Sequence, residues 1–321
     1  MRKYAAILLA LISASAFAQD TEECPRGTLA EGFCDVDGDL VADVPTDPEL
    51  WLNPDTLIFS YTPVEDPALY ADAFQGFLDH LAAVTGKEVE FFVVDSYAAQ
   101  QLALEAGRLH IAGVNTGNVP YAVNVSGFRP FAIMADLEGN YGYEMEVIVP
   151  VGSDIETMED LAGRELAFVT QTSNSGFKAP SALLAADFGM IEGTDFTATF
   201  SGSHENSILG IANGDYEAAA VANSVLSRMV AREVVSEDDY VSIFTSQTFP
   251  TTGYGMVHNL DPELQAKIEE AFFSFDWEGS ALQAEFAGNG EEQFIPVNYA
   301  DAWSVVRTID AELGIDYTAA E

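Results

Sequence analysis

The chain has 321 residues, with 52 acidic and 12 basic side chains and a formal charge of −40. Its apolar fraction of 48% and aromatic fraction of 11% are those of a chain that buries a large core. The length suits roughly two domains of ordinary size. So negative a surface repels nucleic acid and anionic lipid and offers no basic stripe to a phosphate backbone, which excludes both as partners.

Residues 1–18 read as a secretory signal peptide. Arg2 and Lys3 form its basic end, Ala5 to Ile12 its apolar run, and Ala16-Phe17-Ala18 its cleavage signal. The run is too short to span a bilayer, and no later stretch reaches the ~20 apolar residues that a spanning helix needs. No cysteine follows the cleavage site to carry a lipid, so an exported protein without a membrane anchor is expected. Cys24 and Cys34 are the only cysteines. In an oxidising compartment an even pair favours a disulfide over free thiols or metal ligation.

Residues 19–56 form an acidic extension with 11 acidic residues, one basic residue (Arg26) and four prolines. Inside it, Asp35, Asp37, Asp39 and Asp43 stand at positions 1, 3, 5 and 9 of a loop with Gly38 at its turn. That spacing can gather oxygens on a hard cation such as Ca²⁺, although Thr46 stands where an EF-hand needs a bidentate Glu. The segment resembles the calcium repeats of thrombospondin type 3 modules. A solvated acidic turn is the competing reading.

From Leu57 the pattern alternates. Leu57–Tyr61 is a strand, and Asp66-Pro67 opens a helix carrying Phe74, Phe77, Leu78 and Leu81, which stops near Gly86. Strand Val89–Val94, helix Ser96–Ala106, strand Leu109–Val114 and a turn over Asn115–Asn118 follow. Phe131–Ala135 and Glu144–Val149 are further strands. A second series begins with a capping box on Thr157 and Asp160. It continues through strand Glu165–Val169, helix Gly176–Phe188, strand Phe196–Phe200, helix Glu205–Asn213, strand Glu217–Ala222, a helix from Ser224, and strand Tyr240–Phe244. Strand Tyr254–His258 and helices Pro262–Phe275 and Tyr299–Leu313 end the chain. Two βαβ series predict an α/β protein of two lobes with mainly parallel sheets. In such folds ligands collect where strands end and helix N-termini point free amides.

Two segments fit that description. Thr170-Gln171-Thr172-Ser173-Asn174-Ser175-Gly176 places hydroxyls, an amide and a glycine at a helix start, which suits a tetrahedral oxyanion and lacks the lysine of a nucleotide-binding P-loop. Simple helix capping is the alternative. Gly202-Ser203-His204-Glu205 repeats the arrangement with a histidine, a donor that also carries charge when protonated. Asp95-Ser96-Tyr97 opens another helix, and Gly142-Tyr143 stands where the two series meet. Each tyrosine is a neutral donor or a core ring.

In order and spacing these segments resemble the PhnD family of periplasmic phosphonate-, phosphite- or phosphate-binding components of ABC transporters. Phe59-Ser60-Tyr61-Thr62-Pro63 resembles the family's first strand and loop. Ser173-Asn174-Ser175-Gly176-Phe177 is similar to its S-T-S-G-F/Y loop, Gly202 to Ile208 to its G-S-H-E-A-S-I, and Ile211 to Ala219 to its V-A-N-G-x-V-D-A-A. The resemblance covers about Leu57 to Leu313. It implies a class II periplasmic solute-binding protein in the α/β class, with a ligand cleft between lobes. Lobe 1 would be residues 57–143 plus 254–321 and lobe 2 residues 144–253. It further implies a monomer that delivers a small anionic phosphorus ligand to an ABC transporter permease and needs no cofactor for binding. Carried over by residue, Tyr97 and Tyr143 would donate from one side and Ser173, Asn174, Ser175 and His204 from the other, with Asn115 and Thr116 facing the cleft.

Three features depart from the family pattern. Asn174 replaces a threonine. Lys178 replaces an apolar residue and is expected to face solvent or add charge to the site. Where aminoalkyl-binding members carry acids, Asn223 and Thr251-Thr252-Gly253 stand here, which favours phosphate, phosphite or a small neutral-tailed phosphonate over 2-aminoethylphosphonate. Ser175 and His204 also admit an enzymatic reading as nucleophile and base. No G-x-S-x-G elbow accompanies them, and the four histidines are scattered. A receptor-coupled sensor, or a site for another small oxyanion, is the remaining alternative.

Overall fold

A computed structural model describes residues 24–317. The predicted signal peptide lies outside the described residues. The chain opens its first sheet with β1 (Thr56–Tyr61). Asp66 then caps α1 (Pro67–Thr85) by accepting the Ala68 N–H at 3.0 Å, and Pro67 supplies a first turn that needs no amide donor. β2 (Glu88–Phe91), α2 (Tyr97–Glu105), β3 (Ile111–Val114), α3 (Val119–Ser126) and β4 (Phe128–Ala135) follow.

The chain crosses to a second sheet at β5 (Tyr143–Pro150) and β6 (Glu165–Phe168). α4 (Ala179–Asp187), β7 (Thr197–Phe200), α5 (His204–Asn213), β8 (Ala218–Ala222), α6 (Asn223–Ala231) and β9 (Tyr240–Phe249) complete that lobe. β10 (Gly253–Val257) returns to the first sheet. α7 (Pro262–Ser274), α8 (Ala281–Phe286), β11 (Gln293–Pro296), α9 (Tyr299–Ala302) and α10 (Ser304–Glu312) finish the chain.

The sheet orders are β11-β4-β10-β3-β1-β2 and β7-β6-β8-β5-β9. In each, three strands pair in parallel with the first of them in the middle, as βαβ units dictate: β1 with β2 and β3, β6 with β7 and β8. The neighbour of the third is antiparallel and comes straight from a crossover, β10 in one sheet and β5 in the other. This is the two-lobed α/β architecture expected, but the sheets are not mainly parallel: β4, β10 and β11 in the first and β5 and β9 in the second pair antiparallel, because these strands arrive without the helical crossover that parallel pairing needs. β3 and β8 are buried along their whole length, which explains why Ile111–Val114 and Ala218–Ala222 read as continuous apolar runs with no alternation. Phe59, Phe74, Phe77, Phe272 and Phe294 pack edge to face in the first lobe, and Phe168 gathers Phe177, Phe196 and Phe200 in the second.

Several expectations change. The helix expected from Gly176 starts instead as a π-helical turn over Asn174–Lys178 before α4. α3, α8 and β11 were not legible as elements, and Trp303 breaks the last helix in two. The capping box on Thr157 and Asp160 is present, on a 3₁₀ turn. The acidic extension is no loose appendix. Cys24 and Cys34 are disulfide-bonded, Leu29, Val41 and Ala42 are buried in the core, Ala30 N–H donates to Asn124 O at 2.8 Å, and Phe33 packs on His258.

Candidate functional site

One cavity lies between the sheets, lined by residues from both and from the crossovers. All eight residues predicted for the site line it: Tyr97, Asn115, Thr116, Tyr143, Ser173, Asn174, Ser175 and His204. Its free room is small, about 40 Å³.

Local capping sets the orientation of these groups. Ser173 caps the π-turn, its Oγ accepting the Gly176 N–H at 3.0 Å, so Ser175 and the first amides of the turn face the cavity at a positive helix end. The turn needs glycine at position 176, because a Cβ there would fall 2.4 Å from Val169 Cγ2. Ser96 caps α2 in the same way, accepting Ala99 N–H at 3.2 Å, and Tyr97 is its first residue. The Tyr97 hydroxyl is buried without a partner. Asn115 turns its Oδ1 to Asn118 N–H at 3.1 Å, which leaves Nδ2, buried and unpartnered, as the inward end. Tyr143 Oη accepts from Asn174 Nδ2 at 3.2 Å and keeps its own hydrogen to donate. Burial raises both tyrosines above the ordinary phenol value, Tyr97 the further, so each is a neutral donor.

His204 is the first residue of α5, behind the Ser203 cap. Its Nδ1 accepts the Ala222 N–H at 3.2 Å, which fixes the neutral tautomer with hydrogen on Nε2, 3.4 Å from Ser173 Oγ. Burial, aided by the charge of Arg228, lowers its pKa to about 3. The ring therefore donates without charge, so of the two forms open to this histidine the neutral one is present.

Other expectations need correction. Thr116 lines the cavity, but its hydroxyl donates to the carbonyls of Pro250 (2.8 Å) and Thr251 (3.1 Å), fastening the return crossover. Lys178 neither faces solvent nor lines the cavity. It is buried, with Nζ 2.7 Å from both Gly117 O and Asp310 Oδ1, tying the π-turn to the first lobe's loop and to α10. Asn223 is taken up by Glu144, accepting from its N–H at 3.0 Å and donating to its carboxylate at 2.6 Å.

The sequence reading missed the cavity's charged end. Arg228 and Glu291 line it together with Tyr61, Thr251 and Thr252. Arg228, on α6, lies 3.0 Å from Glu65 across the lobes, and Arg232 bonds the other Glu65 oxygen. Tyr70 Oη donates to Glu65 Oε2 at 2.7 Å. Burial pushes the Glu291 carboxyl up to about 7, against the pull of Arg228. The lobes also meet at Gly117, where a Cβ would fall 2.4 Å from Thr172 O and 2.5 Å from Asn174 N.

In the extension, Asp35, Asp37 and Asp39 bring carboxylate oxygens within 4.8 Å of one another. Asp43 does not join them; its Oδ2 accepts the Val36 N–H at 2.7 Å. A fourfold aspartate site is thereby corrected to an acidic triad that can hold a metal.

The fold is that of a two-lobed α/β protein with a buried polar cavity between its lobes, the architecture of a substrate-binding protein. Residues 59–302 match the family described as "ABC transporter, phosphonate, periplasmic substrate-binding protein", and the chain belongs to that family. The phosphate-import protein PhnD of Mycolicibacterium smegmatis is 24% identical over 318 residues, 96% of this chain and 91% of its own. Among solved structures, a binding-protein component of an ABC phosphonate transporter from Pseudomonas aeruginosa has a TM-score of 0.71 at 20% identity, covering 83% of this chain and 89% of its own. PhnD1 from Prochlorococcus marinus, in complex with methylphosphonate, has a TM-score of 0.68 at 14% identity, covering 82% and 100%. Among the described residues no helix is long and apolar enough to cross a membrane.

Proposed function

We propose that the cavity captures phosphate, phosphite or a small phosphonate for an ABC importer, holding the anion on neutral donors. The carrying observation is the convergence of Tyr97, Tyr143, Asn115, Ser175 and His204 on one buried space, with the Tyr97 hydroxyl and Asn115 Nδ2 lacking any partner. Buried donors left unpaired are costly, and an oxyanion with several acceptor oxygens satisfies them together. Tyr97, Tyr143, Asn115, Ser173, Ser175 and His204 are the groups assigned to the ligand, with Asn174 orienting Tyr143 and Thr116 holding the crossover.

Ligand contacts to both lobes favour the closed state over the open one. The lobes, expected as residues 57–143 plus 254–321 and residues 144–253, are set one residue differently by the sheets, since Tyr143 opens β5 in the second and Gly253 opens β10 in the first; they move about residues 136–142 and 250–252. The closed monomer docks on a permease from the periplasm, after export by the signal peptide. No step of catalysis is assigned. Ser175 has no activated base, since His204 Nδ1 is occupied by a backbone N–H and its Nε2 carries the hydrogen. A thermal-shift screen tests the reading: phosphate, phosphite or methylphosphonate should raise the melting temperature at micromolar to millimolar levels, and no response to any of them would reject it.

Calcium is the ion assigned to Asp35, Asp37 and Asp39, stabilising the extension. It should slow proteolysis around residues 35–43, and a digestion pattern unchanged by chelator would count against it.

A further inference from the structure

Arg228 is an unusual lining residue in a chain with so few cations. Its side chain is only 5% exposed. Its guanidinium meets three carboxylates that all belong to the opposite lobe: Glu65 at 3.0 Å, Glu285 at 3.6 Å and Glu291 at 3.9 Å. Its flat face lies over the Phe286 ring, 5.3 Å from the centroid. Arg232 shares Glu65 and Glu285. Arg228 and Glu291 themselves line the cavity, while Glu65 and Glu285 meet Arg228 from outside its lining and Arg232 is bonded to both.

We infer that Arg228 is the specificity-determining residue of the site: its guanidinium occupies, from inside the protein, the place that a cationic tail on the ligand would take. The assignment rests on reading the cavity as a phosphorus-oxyanion site and adds what the site refuses. Glu65 and Glu291 are the carboxylates an ammonium tail would seek, and both already face Arg228. A second cation brought to this end finds the carboxylates already paired with Arg228 and Arg232, in a place closed to water, so it gives up its hydration without gaining a free counter-charge. The guanidinium also fills the volume into which an aminoethyl tail would extend. Arg228 acts at the other end too, because its field helps keep His204 neutral. Compact oxyanions touch only the neutral donors and are unaffected by the occupied end.

Removing the guanidinium should therefore change selectivity and not merely affinity. It opens space and uncovers two buried carboxylates, turning a barrier to ammonium into an ammonium site. Calorimetric titration of wild type, Arg228→Ala, Arg228→Gln and Arg228→Lys with phosphate, methylphosphonate and 2-aminoethylphosphonate provides the test. Wild type should bind methylphosphonate at least about 50-fold more tightly than the aminoethyl ligand. Arg228→Gln, which keeps a hydrogen-bonding group for Glu65 if the alanine variant does not fold, should move that ratio at least about tenfold toward the aminoethyl ligand. Arg228→Lys, which keeps the charge, should not. An unmoved ratio in folded Arg228→Gln, including equal loss of both ligands, overturns the assignment alone. Wild-type protein that binds none of the three ligands overturns the reading of the cavity, and this assignment with it.

Discussion

At one end of the cavity Tyr97, Tyr143, Asn115, Ser175 and His204 present uncharged donors, whereas at the other Arg228 is packed against Glu65, Glu285 and Glu291. The first end draws on local devices: serine caps, helix starts, a tautomer fixed by one backbone amide. The second is assembled from residues far apart in the chain and joins the lobes. The contrast teaches how a protein with a charge of −40 can hold an anion. On the function proposed above, binding depends on short-range donors in a space closed to water, where they act at full strength. The charged end contributes little net potential, since its cations are matched by acids, and the role proposed for it is in closure and selectivity.

If that division holds, variants at the two ends should fail differently. The largest effect is expected from Glu65→Ala. Glu65 is the nearest carboxylate to Arg228 and is shared with Arg232, so its loss should remove about 3–5 kcal/mol, read as a lower melting temperature that ligand only partly restores. His204→Ala and Tyr143→Phe should instead keep the melting temperature of the free protein and weaken anion binding by about 1.5–3 kcal/mol each, the range for a hydrogen bond to a charged group. Unchanged affinity in both would remove the neutral end from the site. Gly117→Ala places a Cβ against the backbone of Thr172 and Asn174, so closure should suffer by about 1–3 kcal/mol. Scattering from the liganded variant should remain that of a more open molecule.

A further contrast concerns pH. His204 stays neutral in the folded protein down to about 3, while an unfolded chain's histidine takes up a proton near 6.5. Stability should therefore fall as pH drops through that window, joined by buried His258, lowered to about 4 mainly by burial. Glu291 has the opposite sign. Its proton is held up to about 7 in the fold and lost near 4.5 when unfolded, so its contribution falls as pH rises from 4.5 to 7. Urea titrations of His204→Gln and Glu291→Gln across that range should flatten opposite limbs of the stability profile.

The neutral end was legible in the sequence because its devices are local. Ser173, Ser175 and Gly176 mark a helix start within a few residues, and Ser96 does the same for Tyr97. The alternating strands and helices were readable for the same reason, through Asp66-Pro67 at one helix start and Gly86 at its end. The charged end was not. Glu291 is one of 52 acidic residues, and nothing around it marks it as buried. Arg228 lies on an ordinary amphipathic helix, and its partner Glu65 belongs to the other lobe. Lys178 sits one turn beyond the recognised loop, yet its partner Asp310 lies on α10, at the far end of the chain. Pairings of this kind depend on tertiary contact and leave no periodic trace.

The most direct test of the central claim is calorimetric titration of phosphate and methylphosphonate into wild-type and His204→Ala protein at neutral pH. One site per chain, with binding weakened about 10- to 100-fold in the variant, is the result expected when a neutral donor at the cavity's uncharged end holds the anion. Equal affinity in the two proteins, or no heat with either ligand in wild type, would contradict it.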